Sequence, residues 1–407
     1  MRSNPDDLFC GDLPTSPCPG TGAILVTGAT GYIGGRLVPE LLHRGYHVRV
    51  MSRELSPEHR ERWPGAEVVK VEPPSGDMTR FPGPFTPEDT EKAYGGYFAS
   101  INRGKRSIVL DLKDEGYRDT LIALVRTAGV LVENSRAGVM DRLGVGYEVL
   151  AEVNPRLVYA AVRGFGDPRT GASPYVDWPA YDIVAQAMGG LVSVTGSADG
   201  TVGKCGPSVG DVFAGSLATV GLLAAVIEAR TSGEGQMVDV AMYDAVLSLC
   251  EGAVYQHDYL GWVPGPTGNG HPVIAPFDLF PTADGTCAIG APDDRTFARL
   301  CDLLGRPDLP DDERFSGQIE RLLHRPALNE ELEAWTRART TAEIVDLLGG
   351  KVPVGPVNDM AAIAEDPHVA VRQMLVEVEQ PDGSRPVTSD GRVVASGACD
   401  SDFCAGR

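Results

Sequence analysis

The sequence predicts an α/β protein in which a larger domain built on a parallel sheet is joined to a smaller α/β domain. Three observations carry this reading. Between Arg106 and Val162, short β-branched runs alternate with helical segments, the pattern of parallel strands linked by crossover helices. Residues 23–51 show the same strand–helix–strand order around a glycine-rich turn. Beyond residue 268 the texture changes to short strands punctuated by Gly and Pro, followed by longer helices. The larger domain is therefore expected to be Rossmann-like.

The elements follow in order. Residues 1–20 hold Pro5, Pro14, Pro17 and Pro19 with Asp6 and Asp7, which suits a disordered N-terminus rather than a helix or a signal peptide. In the segment 21–63, Ala23 to Val26 reads as a buried strand, Thr27 to Gly34 as a glycine turn, Gly35 to Arg44 as an amphipathic helix and His47 to Met51 as a second strand. This segment resembles the opening of NAD(P)-binding epimerases and extended short-chain dehydrogenases, with Gly28, Gly31 and Gly34 as the phosphate-approach glycines. The acidic residue that reads an NAD ribose is missing, and Arg53 stands near its place, so any nucleotide bound would be NADP. None of the twelve Tyr has a Lys four residues later, so the acid–base pair of an active short-chain oxidoreductase is absent.

In the middle of the chain, Arg106 to Leu110, Val130 to Glu133 and Val158 to Val162 read as strands. Tyr117 to Ala128, Tyr147 to Val153 and Gly215 to Arg230 read as helices. The expected organisation is a large domain over 64–245, a small domain over 268–345, a return to the large domain at 352–386 and an atypical tail at 387–407. In the small domain Phe277 to Phe280 and Cys287 to Gly290 suggest strands, and Arg295 to Leu304 a helix.

Composition limits the function. With 407 residues, 43% of them hydrophobic, the chain can bury a large core. A net charge of −20 argues against nucleic acid or an anionic membrane as the main partner. No uninterrupted apolar run reaches the roughly 18 residues of a bilayer span, so a cytoplasmic protein is expected. The eight Cys lack C-x-x-C spacing, which points to reduced thiols and to neither a metal site nor a disulfide framework.

One carboxylate stands out. Asp211 lies in Cys205-Gly206-Pro207-Ser208-Val209-Gly210-Asp211-Val212-Phe213-Ala214-Gly215, just ahead of the expected Gly215–Arg230 helix. It has an ordinary reading as a helix N-cap. It also has a functional one, since orphan N–H groups and the helix dipole would keep it ionised and nucleophilic, with Gly210 and Gly215 admitting a bulky substrate.

Residues 65 to 386 resemble family III CoA-transferases, a group that includes formyl-CoA:oxalate and carnitine CoA-transferases. The matching motifs run in the family's order: Gly65-Ala66-Glu67-Val68-Val69-Lys70-Val71-Glu72, Gly76-Asp77-Met78-Thr79-Arg80, Asn102 to Lys113, and Val132-Glu133-Asn134-Ser135-Arg136-Ala137-Gly138. Asp141-Arg142-Leu143-Gly144, Asn154 to Tyr159, Pro179 to Ala187, the Asp211 segment, Gly233-Glu234-Gly235-Gln236, Gly268-Asn269-Gly270-His271-Pro272 and Gly355-Pro356-Val357-Asn358-Asp359 complete them. The resemblance implies that family's fold, an interlocked homodimer, and transfer of CoA from an acyl-CoA to a carboxylic acid without a permanently bound cofactor.

By the same resemblance Asp211 is the nucleophile, and the Gly268-Asn269-Gly270 loop closes over the intermediate. Asp182 is an acidic neighbour that either positions substrate or caps the helix starting near Ile183. His271 either orients the acyl group or is a surface residue. CoA falls to Lys113, Arg142 and the loop residues Asn134, Ser135 and Arg136. Arg103, Lys105 and Arg106 form a basic cluster, of which Lys105 and Arg106 are secondary CoA candidates. The chain departs from the family where the dehydrogenase-like segment replaces the first CoA-contacting loop, and where Ser135 and Ala137 break an Asn-Phe-Arg-Pro-Gly motif. The related α-methylacyl-CoA racemases use a His–Asp pair, but here Ala180-Tyr181-Asp182 occupies that motif and no His lies between His59 and His257. An inactive CoA- or NADP-binding relative is the principal alternative, and an acyl-CoA racemase a lesser one.

Overall fold

The computed structural model describes residues 68–389, except positions 88, 91, 93, 94, 104, 380–382 and 384, together with the strand residues Ile24–Leu25 and Val48–Arg49. These form two compact units, one comprising the chain up to Gly189, Gly206–Cys250 and the chain from Arg372, the other Gly190–Cys205 and Glu251–Val371.

The first unit is the parallel α/β body. β1 (Ile24–Leu25) and β2 (Val48–Arg49) pair in parallel, Ile24 opposite Val48. The glycine turn, the helix expected between them and Arg53 lie outside the described residues. β3 (Val69–Glu72) pairs in parallel with β4 (Arg106–Val109), and α1 (Gly96–Ile101) lies between them in the chain. α2 (Glu115–Val125) starts where the Asp114 carboxylate accepts the Gly116 N–H at 2.9 Å. Next come β5 (Val130–Glu133), α3 (Val139–Arg142), α4 (Tyr147–Val153) and β6 (Val158–Arg163). α5 (Asp182–Met188) and α6 (Val209–Ser232) precede β7 (Met237–Ala241), and α7 (Met242–Leu249) follows it. The strand order β5–β6–β7 is parallel throughout. β6 is buried along its whole length, which explains its continuous apolar run Val-Tyr-Ala-Ala-Val.

α6 begins at Val209, six residues before the expected Gly215. Gly210, Ala214, Ala218, Leu222, Ala225 and Ala229 recur every three or four residues and are buried on one face. The small Gly and Ala side chains among them let the helix lie close on β6 and β7. It ends where Gly233 takes φ +82°, a left-handed cap suited to glycine. By length and composition α6 is apolar enough to cross a membrane, contrary to expectation. Gly, Ser and Thr interrupt its apolar pattern without making the helix polar, so it contains no unbroken apolar run of that length. Its apolar face is used against the sheet, while Leu217, Val220 and Ile227 stay exposed.

In the second unit, α8 (Glu251–Leu260) leads to an antiparallel sheet of order β8–β9–β10: Phe277–Pro281, Thr286–Gly290 and Val354–Pro356. α9 (Asp294–Leu304), α10 (Gln318–Leu323), α11 (Arg325–Thr336) and α12 (Thr341–Leu348) contribute to a core around Phe280, Ile289, Phe297, Leu328 and Ile344. The return expected at 352 is corrected to Arg372, because Val354–Pro356 adds an edge strand to β9. Gly190–Cys205, expected in the large domain, belongs to this unit. The chain re-enters the first unit through β11 (Leu375–Glu377), which pairs antiparallel with β12 (Val387–Ser389). The expected tail therefore begins inside a strand, and residues 390–407 lie outside the described ones.

Candidate active site

Asp211 is the third residue of α6, inside the first turn, and Ser208 occupies the N-cap position without a side-chain cap bond. The N-cap reading of Asp211 is thereby corrected. The missing cap comes from another helix. Asp182, the first residue of α5, accepts the Gly210 N–H on Oδ1 at 2.8 Å and the Gln186 side chain on Oδ2 at 2.8 Å. Gln186 is fully buried and also donates to the Pro207 carbonyl at 3.3 Å. Asp182 thus caps α6 rather than its own helix.

Gly210 is where the two helices meet. A Cβ there would lie 3.2 Å from Asp182 Oδ1 and 3.1 Å from the Ala185 Cβ, tighter than ordinary packing. The space that glycine was expected to offer a substrate is filled by α5.

Burial, and then the charge of Asp182, push the Asp211 carboxyl up to about 6. The helix-terminus argument predicted the opposite direction, and desolvation outweighs it because no donor or cation among the described residues offsets the loss of water. A carboxylate of this basicity is still mostly ionised at neutral pH and is a stronger nucleophile than an ordinary one. Its acid limb sets a prediction. kcat/KM should fall as pH drops through about 6, where Asp211 takes up a proton. Asp182→Asn can still accept the Gly210 bond but lacks the charge, so it should move that limb to lower pH, which a pH–rate profile reads.

Tyr97 was not singled out from sequence. It is 48% exposed on α1, and its hydroxyl is pushed up by burial and by the charges of Asp211, Asp77 and Asp182, so it stands in the field of the same carboxylates. The Gly76–Arg80 motif has a structural role. Lys70 pairs with Asp77, while Arg80 forks onto Glu72 at 2.7 and 2.8 Å and Ser107 donates to Glu72 at 2.6 Å. Lys105 bonds Asn102 Oδ1 at 3.1 Å, and burial, then Lys70, lower its ammonium to about 7.

The CoA candidates divide between places. Lys113 follows the carboxyl end of β4 and is exposed, whereas Lys105 and Arg106 stand at the amino end of that strand. Asn134, Ser135 and Arg136 follow the carboxyl end of β5, and Arg142 follows within α3. Carboxyl ends of parallel strands are where open α/β sheets bind ligands. The Ser135 backbone is gripped on both sides, its N–H donating to Glu133 at 2.6 Å and its carbonyl accepting from Arg163 Nε at 3.1 Å.

The Gly268–Gly270 loop belongs to the second unit. Gly268 has φ +70°, Gly268 and Asn269 are exposed, and Gly270 is buried. His271 serves the turn: its N–H donates to the Phe277 carbonyl at 2.9 Å, and its Nδ1 accepts the Val273 N–H at 3.3 Å.

Comparison with known proteins agrees with this parallel α/β body. CoA-transferase family III matches residues 64–399, and the chain belongs to that family. The chain is 46% identical over 327 residues to the succinyl-CoA:mesaconate CoA-transferase of Haloarcula hispanica, covering 80% of this chain and 82% of that one. It is 41% identical over 316 residues to the acetyl-CoA:oxalate CoA-transferase of Acetobacter aceti, covering 77% and 79%. The crystal structure of a CaiB/BaiF family protein from Brucella suis superposes with a TM-score of 0.75 at 31% identity over 94% of this chain and 93% of that one. The NAD-dependent epimerase/dehydratase family matches residues 24–81, the segment holding β1 and β2. The enzyme is thus a CoA-transferase acting on carboxylic acids.

Proposed function

We propose that Asp211 carries the transfer covalently. Its carboxylate attacks the thioester carbonyl of an acyl-CoA, the C–S bond breaks, and an acyl-aspartyl anhydride forms with release of CoA thiolate. The thiolate then attacks the aspartyl carbonyl, giving an aspartyl-CoA thioester and freeing the donor acid. The acceptor carboxylate attacks that thioester, breaking its C–S bond to expel CoA thiolate and form a second acyl-aspartyl anhydride; the thiolate then attacks the acceptor's carbonyl in this anhydride, giving the new acyl-CoA and releasing the Asp211 carboxylate. Each step exchanges one carbonyl substituent for another, so the sequence needs neither a metal nor a redox group.

The single observation behind this reading is the Asp211 carboxylate, made basic by burial and by Asp182, with no cation among the described residues offsetting that shift. Asp182 positions the nucleophile's helix. The Gly268-Asn269-Gly270 loop supplies backbone N–H groups to the tetrahedral oxyanion and keeps water from the anhydride. Lys113, Asn134, Ser135, Arg136 and Arg142 bind CoA, with Lys105 and Arg106 secondary. The relatives' names pair a CoA thioester with mesaconate or oxalate, so a dicarboxylic acid is the acceptor class to assay first. The protein works in the cytoplasm as an interlocked homodimer, a role for which the exposed Leu217, Val220 and Ile227 of α6 offer apolar surface.

Chromatography of succinyl-CoA or acetyl-CoA incubated with the enzyme and a panel of dicarboxylates tests the reading. The expected result is a new acyl-CoA that depends on the acceptor. Absence of product across the panel, with NADPH rather than CoA raising the melting temperature, would favour the inactive nucleotide-binding alternative.

A further inference from the structure

We infer that Arg325 is a positioning residue that fixes the shape of the Gly268–Gly270 loop; its effect on transfer rests on the reading proposed above. The loop tip consists of exposed residues, and glycines order at a high entropic cost. Something must therefore hold the loop's base. Three bonds do so: Thr267 Oγ1 donates to the Gly270 carbonyl at 2.7 Å, the His271 N–H donates to the Phe277 carbonyl at 2.9 Å, and the Arg325 guanidinium donates to the His271 carbonyl. Only the last is charge-assisted, and so it is the strongest of the three.

Arg325 also shapes the loop by contact. It is the first residue of α11, a helix that packs on β8, so its backbone is held by the second unit's core. Arg325 Nη1 would stand 2.7 Å from a Cβ on Gly270, and the Asp278 carboxylate 3.0 Å from it. Gly270 is thus flanked by both groups, and a side chain there would push the guanidinium out of its place. Asn329, one turn along α11, donates to Asp278 Oδ2 at 3.0 Å and keeps that carboxylate in place. With the base pinned, the Gly268 and Asn269 N–H groups are held in one arrangement.

The test uses the full-length enzyme with Arg325→Ala, Arg325→Lys, Gly270→Ala and the Ala/Ala double variant. Two readouts are taken, hydrogen exchange over residues 267–277 and the ratio of acyl-CoA hydrolysed to acyl-CoA transferred. Hydrolysis consumes one water per anhydride, giving the free acid and the Asp211 carboxylate and leaving unused the CoA thiolate released when the anhydride formed, so it reports a poorly closed loop. Arg325→Ala should speed exchange at His271 and raise the hydrolysis ratio, each by about tenfold, the size expected from one charge-assisted bond. Donor KM should move less than about twofold, and exchange in β5–β7 should stay at the wild-type rate. Arg325→Lys should fall between, retaining one donor; it carries the test if the Ala variant does not fold. Gly270→Ala should resemble Arg325→Ala, and the double variant should be no worse than either. Wild-type exchange in Arg325→Ala, or additive effects in the double variant, would overturn the inference. Faster exchange with an unchanged hydrolysis ratio would instead sink the loop's assigned part in the transfer.

Discussion

Asp211→Asn should lower CoA transfer by about three orders of magnitude or more, with a much smaller change in acyl-CoA affinity. The amide has the same shape but no charge, so it cannot open the thioester, and the one carboxylate among the described residues whose charge acts on Asp211 is already engaged. Asp182 is the nearest alternative, yet both its oxygens are engaged, one by the Gly210 N–H and one by Gln186. The same substitution should stabilise the fold. Asp211 titrates at about 6 in the folded protein against an ordinary 3.8, so its ionised form costs stability above pH 6, and the cost shrinks as pH falls from about 6 and is gone below the ordinary value. After discounting for partial solvent screening, the gain near neutral pH is about 1–2 kcal/mol. A melting temperature that rises at neutral pH but not near pH 4, measured beside steady-state kinetics, would show the site storing instability for the sake of nucleophilicity.

The second large effect concerns stability away from the chemistry. Arg163→Ala should destabilise the protein by about 3–5 kcal/mol. Arg163 lies at the end of β6 with a side chain 4% exposed, bridging Glu133 at 2.5 Å and the fully buried Asp167. Burial already pushes the Glu133 carboxyl up despite the Arg163 charge, so removing the guanidinium would leave two buried acids without their principal cation. The Ser135 carbonyl would lose its donor as well, loosening the loop assigned to CoA. Arg169 offers a contrast. It pairs with Asp141, Glu148 and Asp167 but is 29% exposed, and its loss should cost less, roughly the 1 kcal/mol of a solvated pair for each exposed partner. Denaturant titration of the two Ala variants distinguishes these outcomes, and similar losses for both would contradict the account.

What was readable from sequence follows a physical pattern. Strands β4, β5 and β6 and helices α2 and α4 were legible because β-branched runs and helical periodicity are local signals. The start of α6 was not, because Ser208 and Gly210 look like loop residues until Asp182 supplies the cap from 28 residues away. The same distant carboxylate, with burial, reversed the expected direction of the Asp211 pKa. Domain boundaries failed for a related reason: Val354–Pro356 joins β9 across more than sixty intervening residues, a pairing no window can see. Motif residues can be picked out along the chain, but what each of them touches depends on distant partners. Arg80 and Asp77 lock a turn, Gly210 admits a neighbouring helix rather than a substrate, and Tyr97 and Arg325 carried no local signal that set them apart.

The central claim is that Asp211 becomes covalently acylated. Mass spectrometry of the enzyme incubated with succinyl-CoA or acetyl-CoA, quenched with hydroxylamine and digested, tests it most directly. The account predicts a hydroxamate on the peptide containing Asp211, dependent on the acyl-CoA and absent from Asp211→Asn. Acceptor-dependent transfer with no modification of that peptide, or a hydroxamate on another carboxylate, would contradict it.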